Sequence, residues 1–163
     1  MKSECKYSFL EAKHKIEAYC AYQDRCHYEV DQKLISWGFD QEDRGILAAD
    51  LISNRFLDEE RFARSFVSGK FRIKKWGRIK IKMHLKQKRV TDYSIKQGFR
   101  EIDADEYWDT LLNLAKKKAS EKKKGDSIWQ QRAKITRFLS SRGFESDLIR
   151  DAVEHVLLSS ENP

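Results

Sequence analysis

The feature that most constrains this chain is an internal repeat. Three segments align on a leucine: Lys33-Leu34-Ile35-Ser36-Trp37-Gly38-Phe39, His84-Leu85-Lys86-Gln87-Lys88-Arg89-Val90 and Phe138-Leu139-Ser140-Ser141-Arg142-Gly143-Phe144. In each, the leucine is followed four residues later by Gly38, Arg89 or Gly143, and then by an apolar Phe39, Val90 or Phe144. Glycine just past a helix end suits a left-handed cap, and the apolar residue after it can close over the last turn. A short polar residue able to cap a following helix comes next: Asp40, Thr91 or Ser146. The anchors stand 51 and 54 residues apart, room for about three short helices per unit. The spacing predicts an all-α fold, a tandem repeat of three three-helix units forming an elongated, slightly curved stack. The units are expected over 8–57, 58–102 and 103–158, with helices at 8–23, 26–37, 41–55, 59–74, 77–89, 92–102, 104–122, 127–142 and 146–158.

Apolar spacing supports these helices. Phe62, Phe66 and Ile73 follow a helical period, as do Tyr107, Leu111 and Leu114, and Leu148, Ala152 and Val156. Seven glycines and a single proline, at the very end, agree with helices joined by short turns. One segment resists: Ile79-Lys80-Ile81-Lys82-Met83-His84-Leu85-Lys86 alternates apolar and polar, which by itself reads as a half-buried strand. The repeat favours a helix, because both equivalent segments read as helices and Ile81 and Leu85 are spaced i, i+4. Ile79 and Met83 are then expected on another, exposed face.

Several classes of function are disfavoured. No run of about 18 apolar residues and no secretory-type apolar stretch occurs, so no membrane partner and a cytoplasmic location are expected. Three cysteines, Cys5, Cys20 and Cys26, are an odd number for a disulfide framework and are expected as thiols. Cys20, Cys26, His27 and His14 do not have a recognised metal-ligand spacing. No phosphate-cradling glycine loop, nucleotide fingerprint or nucleophile-base motif is present, and neither catalysis nor a cofactor or metal is expected. Asp103, Asp105 and Glu106 read as capping residues of a helix start.

The net charge of +7 hides a sharper division. Residues 1–67 carry a net −3, residues 68–142 a net +14 and residues 143–163 a net −4. A positive middle between mildly negative ends points to a localised polyanion-binding face, against the plainer reading of a solvated helix surface. The density is highest from Ser68 to Arg100, where twelve basic residues face Asp92 alone. The candidate nucleic-acid-binding residues are Lys70, Arg72, Lys74, Lys75, Arg78, Lys80, Lys82, Lys86, Lys88 and Arg89. Trp76 lies among them, either as a base-stacking platform or as a packed side chain. The runs 116–118 and 122–124, all lysine, extend the positive surface or form a solvated helix end.

The stretch Asn54-Arg55-Phe56-Leu57-Asp58-Glu59-Glu60-Arg61-Phe62-Ala63-Arg64-Ser65-Phe66-Val67 resembles the signature of the RecX family, in which Leu-Asp-Asp/Glu leads into Glu-Arg-Phe-Ala-Arg-x-Phe. The likeness continues through Gly77, the 78–80 stretch, Ile81, Leu85 and Lys88-Arg89-Val90, and Arg25 with Leu34 resembles the start of the first repeat. It covers about residues 15–157 and is strongest from 54 to 90. Arg89 stands where the family usually has glycine, and Arg78 where it has proline. Read from the residues, Asp58 caps a helix, Glu59 and Glu60 complement its dipole, and Phe62, Ala63 and Phe66 form an apolar stripe. Arg61 and Arg64 flank that stripe as ion-pair partners or as contacts to a protein partner, which the resemblance implies is a recombinase.

The resemblance implies a negative regulator of the RecA recombinase that binds in the groove of the RecA–DNA filament and suppresses filament growth, strand exchange and coprotease activity. Single-stranded DNA would be a weaker, sequence-independent partner, and a monomer is expected. Two alternatives stay open: an independent helix-turn-helix DNA-binding protein, and a helical scaffold with no nucleic-acid partner.

Overall fold

In the computed structural model, which describes residues 4–161, the described residues form nine α-helices and no strand. These are α1 (Phe9–Tyr22), α2 (His27–Ser36), α3 (Gln41–Ser53), α4 (Glu59–Arg72), α5 (Arg78–Gln87), α6 (Asp92–Phe99), α7 (Ala104–Ser120), α8 (Ile128–Ser141) and α9 (Ser146–Glu161). The period-two segment is helical within α5. Its helical repeat buries Ile81 and Leu85 completely and leaves Ile79 and Met83 55% and 49% exposed.

The three repeat signatures share one backbone geometry. Gly38, Arg89 and Gly143 take φ of +89°, +57° and +89°. The amide of the apolar residue that follows each donates to the anchor leucine's carbonyl: Phe39 to Leu34 at 3.2 Å, Val90 to Leu85 at 3.1 Å and Phe144 to Leu139 at 3.3 Å. The left-handed residue's own amide donates to the carbonyl three residues back. This pattern of 6→1 and 5→2 bonds satisfies the last carbonyls of each helix, and the leucine and the apolar residue are both buried in all three. The end of α3 repeats the device without a glycine: Arg55 takes φ +61° and Phe56 donates to Leu51 at 2.8 Å.

Caps set most helix starts. The Asp40 carboxylate accepts from the Asp43 amide at 3.0 Å, Asp58 from Arg61 at 2.9 Å, Thr91 Oγ1 from Ser94 at 3.3 Å, and Asp103 from both Asp105 and Glu106. Ser146 departs from expectation: it is the first residue inside α9, and Glu145 precedes the helix. The Glu145 carboxylate is occupied elsewhere, by Tyr107 and Arg78.

The chain divides into two compact units, one made of residues 1–66 with 85–98 and the other of residues 67–84 with 99–163. In the first, α1, α2 and α3 pack around Ala12, Ile16, Cys20, Val30, Leu34, Trp37, Phe39, Leu47, Leu51 and Leu57. Each large side chain so buried stabilises the fold by about 1.5–3 kcal/mol. Glu59 also ties α6 into this unit, because its carboxylate accepts from the Thr91 and Ser94 hydroxyls, both at 2.8 Å, and from the Thr91 amide. In the second unit α7, α8 and α9 pack on one another through Tyr107, Leu111, Ala115, Ile135, Leu139, Ile149, Ala152, Val153 and Val156. Tyr107 lies 5.7 Å from Phe71 and 5.2 Å from Phe144, ring centre to ring centre.

The apolar stripe of α4 differs from its sequence reading. Phe62, Ala63, Val67 and Phe71 are buried, while Phe66 is only half-buried and Ile73 is 78% exposed. The helix ends at Arg72, so Ile73 falls on an outward turn and the stripe's true period runs through Val67 and Phe71. Leu114 and Leu148 are likewise half-buried, with Ala115 and Ile149 taking the inward positions.

Candidate nucleic-acid interface

The densest run of basic residues begins on α4, crosses a short turn and ends past α5. Lys75 takes φ +58° and its amide donates to the Phe71 carbonyl, while Trp76 donates to Lys70, both at 3.1 Å, which closes α4. The turn leaves Lys74 and Lys75 exposed. It is fixed from the other side by α8: the Gly77 amide donates to the Arg142 carbonyl at 2.8 Å, the Ile79 amide to Gly143 at 3.0 Å, and the Arg142 guanidinium to the Lys74 carbonyl at 2.9 Å. Gly77 and Gly143 permit this contact. A Cβ on Gly77 would lie 2.3 Å from the Gly143 carbonyl oxygen, and one on Gly143 would lie 2.3 Å from the Lys80 Cβ.

Within the second unit the candidate residues divide by what already holds them. The Arg72 guanidinium donates to both Glu106 carboxylate oxygens, at 3.0 and 3.2 Å, and to the Glu101 carbonyl and the Ser68 hydroxyl. Arg78 lies 3.7 Å over the Tyr107 ring and 3.4 Å from Glu145. The Tyr107 hydroxyl in turn donates to Glu145 at 2.6 Å and accepts from the Arg78 amide. Burial first, and then the Glu145 carboxylate, push that hydroxyl's pKa far above its ordinary value. Lys70 and Lys80 place their ammonium groups 4.9 and 4.6 Å from the Trp76 ring, and His84 stands 4.6 Å from it. The half-buried indole is thus a packed centre for cations, not a bare platform. Lys74, Lys75 and Lys82 are exposed and make no ion pair among the described residues.

The remaining three belong to the first unit. Lys86 pairs with Asp92, Lys88 with Glu29 at 2.8 Å, and the Arg89 guanidinium lies 5.0 Å over the Tyr28 ring. Arg61 is an internal clamp there: it pairs with Asp24 at 2.8 Å and donates to the Arg55 and Phe56 carbonyls. Burial opposes ionisation of Asp24, but hydrogen bonds from Ser65 and Arg61 outweigh it and hold its carboxyl below the ordinary value. Arg64 pairs with Glu60 one helical turn away, at 2.9 Å.

Charge follows the two units. The segments of the first carry 14 basic and 14 acidic residues, and those of the second 19 and 12, so the whole net charge of +7 lies in the second. Sequence order hid this, because the second unit is assembled from two separated stretches. Sequence reasoning also missed Lys134 and Arg137, which join Lys118 in lining a cleft between α7 and α8. Their i, i+3 spacing was the only sequence signal. Cys20 and Cys26 are buried, and burial pushes each thiol up to about 11. Among the described residues no group of three His, Cys, Asp or Glu is placed to hold a metal, and no helix is long and apolar enough to cross a membrane.

This helical repeat matches known proteins. The family model for the second three-helix domain of RecX matches residues 58–98, and that for the third matches residues 105–153. The regulatory protein RecX of Prosthecochloris aestuarii is 32% identical over 139 residues, covering 85% of this chain and 89% of that protein. That of Vibrio parahaemolyticus is 34% identical over 133 residues, covering 80% and 82%. That of Clostridium botulinum is 33% identical over 131 residues, and there the match spans 79% of this chain but only 60% of the relative. The crystal structure of RecX from Lactobacillus salivarius superposes with a TM-score of 0.82 at 23% identity, covering 92% of this chain and 97% of that one. At that identity the superposition speaks to the fold, while the two domain models and the relatives above 30% speak to descent. The chain belongs to the RecX family of regulatory proteins.

Proposed function

We propose that this chain is a negative regulator of the RecA recombinase, binding in the groove of the RecA–DNA filament and suppressing filament growth, strand exchange and coprotease activity. It acts without catalysis or a cofactor, and single-stranded DNA is its weaker, sequence-independent ligand. The repeats 8–57, 58–102 and 103–158 are its units of duplication. The observation that carries the reading is the concentration of the entire net charge in one compact unit that displays Lys74, Lys75 and Lys82 without carboxylate partners among the described residues. Cations with no partner in the fold can neutralise phosphates and release condensed counterions at no internal cost. Lys70, Arg72, Arg78 and Lys80 are further candidate contacts in the second unit, and Lys86, Lys88 and Arg89 are candidate contacts in the first. Arg61 and Arg64 are the candidate recombinase contacts, with guanidinium groups already oriented by Asp24 and Glu60.

The test is RecA ATPase on single-stranded DNA with this protein added below stoichiometry. ATP turnover should fall, and the variant Lys74→Gln/Lys75→Gln/Lys82→Gln should inhibit less while keeping its thermal midpoint, since exposed charges contribute little to folding. Unchanged ATPase with the unsubstituted protein would refute the regulatory reading. A gel shift showing strong preference for one duplex sequence would favour an independent DNA-binding protein instead.

A further inference from the structure

The cleft between α7 and α8 is a second basic site within the same unit. It is open, has a volume of about 350 Å³, and is lined by Lys118, Lys134, Arg137, Phe138 and Ser141, with no carboxylate among them. A neighbouring cleft of about 230 Å³ shares Lys118 and Lys134 and adds Lys122, Lys123, Glu121 and Asp126. The two shared lysines are held from that side: Lys118 by Glu121 at 2.9 Å and Lys134 by Asp126 at 2.8 Å. Lys118 also lies 5.3 Å over the Phe138 ring. Their rotamers are therefore restrained before any ligand arrives, which lowers the ordering cost of binding. Arg137 is exposed and makes no ion pair or hydrogen bond among the described residues.

A plainer reading is that these cations only balance helix ends. The C-termini of α7 and α8 amount to about half a negative charge each. With Glu121 and Asp126 that makes about three negative charges, against five cations lining the two clefts. Two positive charges remain, set beside the Phe138 ring.

We propose that this cleft binds a phosphate group of a nucleic-acid strand, with Arg137 as its primary ligand and Lys118 and Lys134 as preset flanking charges. The proposal rests on reading the second unit as a nucleic-acid contact, and it adds a phosphate site on the third repeat, away in sequence from residues 70–89. A phosphate contact is favoured over an acidic peptide because the Arg137 fork can meet both non-bridging oxygens of one phosphodiester while the two flanking ammonium groups neutralise the next phosphates, whose charges recur at every nucleotide of a strand.

The experiment uses the full chain, labelled for amide NMR and titrated separately with oligothymidylate, inorganic phosphate and poly-glutamate. Oligothymidylate should shift the amides of residues 118, 134, 137 and 138, and Arg137→Gln should flatten the log–log salt dependence of binding by about 0.7. The triple variant Lys118→Gln/Lys134→Gln/Arg137→Gln should flatten it further, by up to about 2, and Arg137→Lys should restore part of the affinity. Because Arg137 makes no ion pair or hydrogen bond among the described residues, its variant should keep the parent's thermal midpoint. Oligothymidylate binding with an unchanged slope in all three variants would overturn this site while leaving the basic segment 70–89 in place. Loss of binding only in the Lys74→Gln/Lys75→Gln/Lys82→Gln variant would overturn it equally. Equal cleft shifts with poly-glutamate would reassign it to an acidic protein, and shifts with inorganic phosphate but none with oligothymidylate would remove the nucleic acid.

Discussion

Gly77→Ala should be among the most damaging single methyl additions in this protein. The new Cβ would stand 2.3 Å from the Gly143 oxygen, 2.4 Å from its carbonyl carbon and 2.5 Å from the Phe144 nitrogen. All three are backbone atoms, so no rotamer change relieves the clash, and α5 must move away from the end of α8 by roughly an ångström to restore ordinary contact distances. That movement breaks the Gly77-to-Arg142 and Ile79-to-Gly143 hydrogen bonds, each worth about 0.5–1.5 kcal/mol. Adding about 1–3 kcal/mol for overpacking gives a loss of about 2–6 kcal/mol. Gly143→Ala meets the Lys80 Cβ and nitrogen at 2.3 and 2.5 Å and also places alanine at φ +89°, which adds about 1–2 kcal/mol. The controls are Gly45→Ala and Gly69→Ala, in α3 and α4, where the added methyl meets nothing within 4 Å. Both should raise stability by about 0.5–1 kcal/mol. Urea unfolding followed by helical circular dichroism reads all four. A Gly77→Ala loss below about 1 kcal/mol, or an effect equal to that of the helical controls, would refute the close approach of α5 and α8.

Phe62→Ala should cost about 3–5 kcal/mol and Phe66→Ala only about 1–2, since Phe62 is 5% exposed and Phe66 half-buried; equal losses in chemical denaturation would contradict the observed face of α4. Arg89→Gly should stabilise the fold by about 0.5–1 kcal/mol, because relief of the left-handed strain exceeds glycine's entropy cost, and a lowered thermal midpoint would show that the Tyr28 contact matters more. With a thiol reagent at neutral pH, Cys5 should react at once, and Cys20 and Cys26 only on unfolding, so rapid labelling of all three would mean that α1 and α2 open readily.

The fold was legible in this sequence because its repeat is written in helix-terminating chemistry. Leu34, Leu85 and Leu139 mark places where a helix must stop, and Gly38 and Gly143 show how. That local signal outweighed the alternation of residues 79–86, which carries no information about which strand would pair with it. The same logic missed Leu51-Arg55-Phe56, an equal helix end in which arginine adopts the left-handed conformation. It also misplaced the face of α4, because Phe62 and Phe66 fit a stripe as well as Phe62, Val67 and Phe71 do. Only the partners of α4 decide between those stripes, and they come from distant segments.

The candidate interface was less legible, and the reason is that a basic residue's availability depends on carboxylates far away in the chain. Arg72 is met by Glu106, Arg78 by Glu145, Lys88 by Glu29 and Arg61 by Asp24, at sequence separations of 34, 67, 59 and 37. A count of charge along the chain credits all of these cations equally with Lys74, Lys75 and Lys82. The structure ranks them, because a phosphate approaching a paired arginine must share it with, or displace, a carboxylate, whereas an unpaired lysine exchanges only water and counterions. Arg78 is also bound into the Tyr107–Glu145 lock at the start of α5, so its removal would disturb folding and binding together. The separable test of nucleic-acid contact therefore lies with the lysines that the fold does not use.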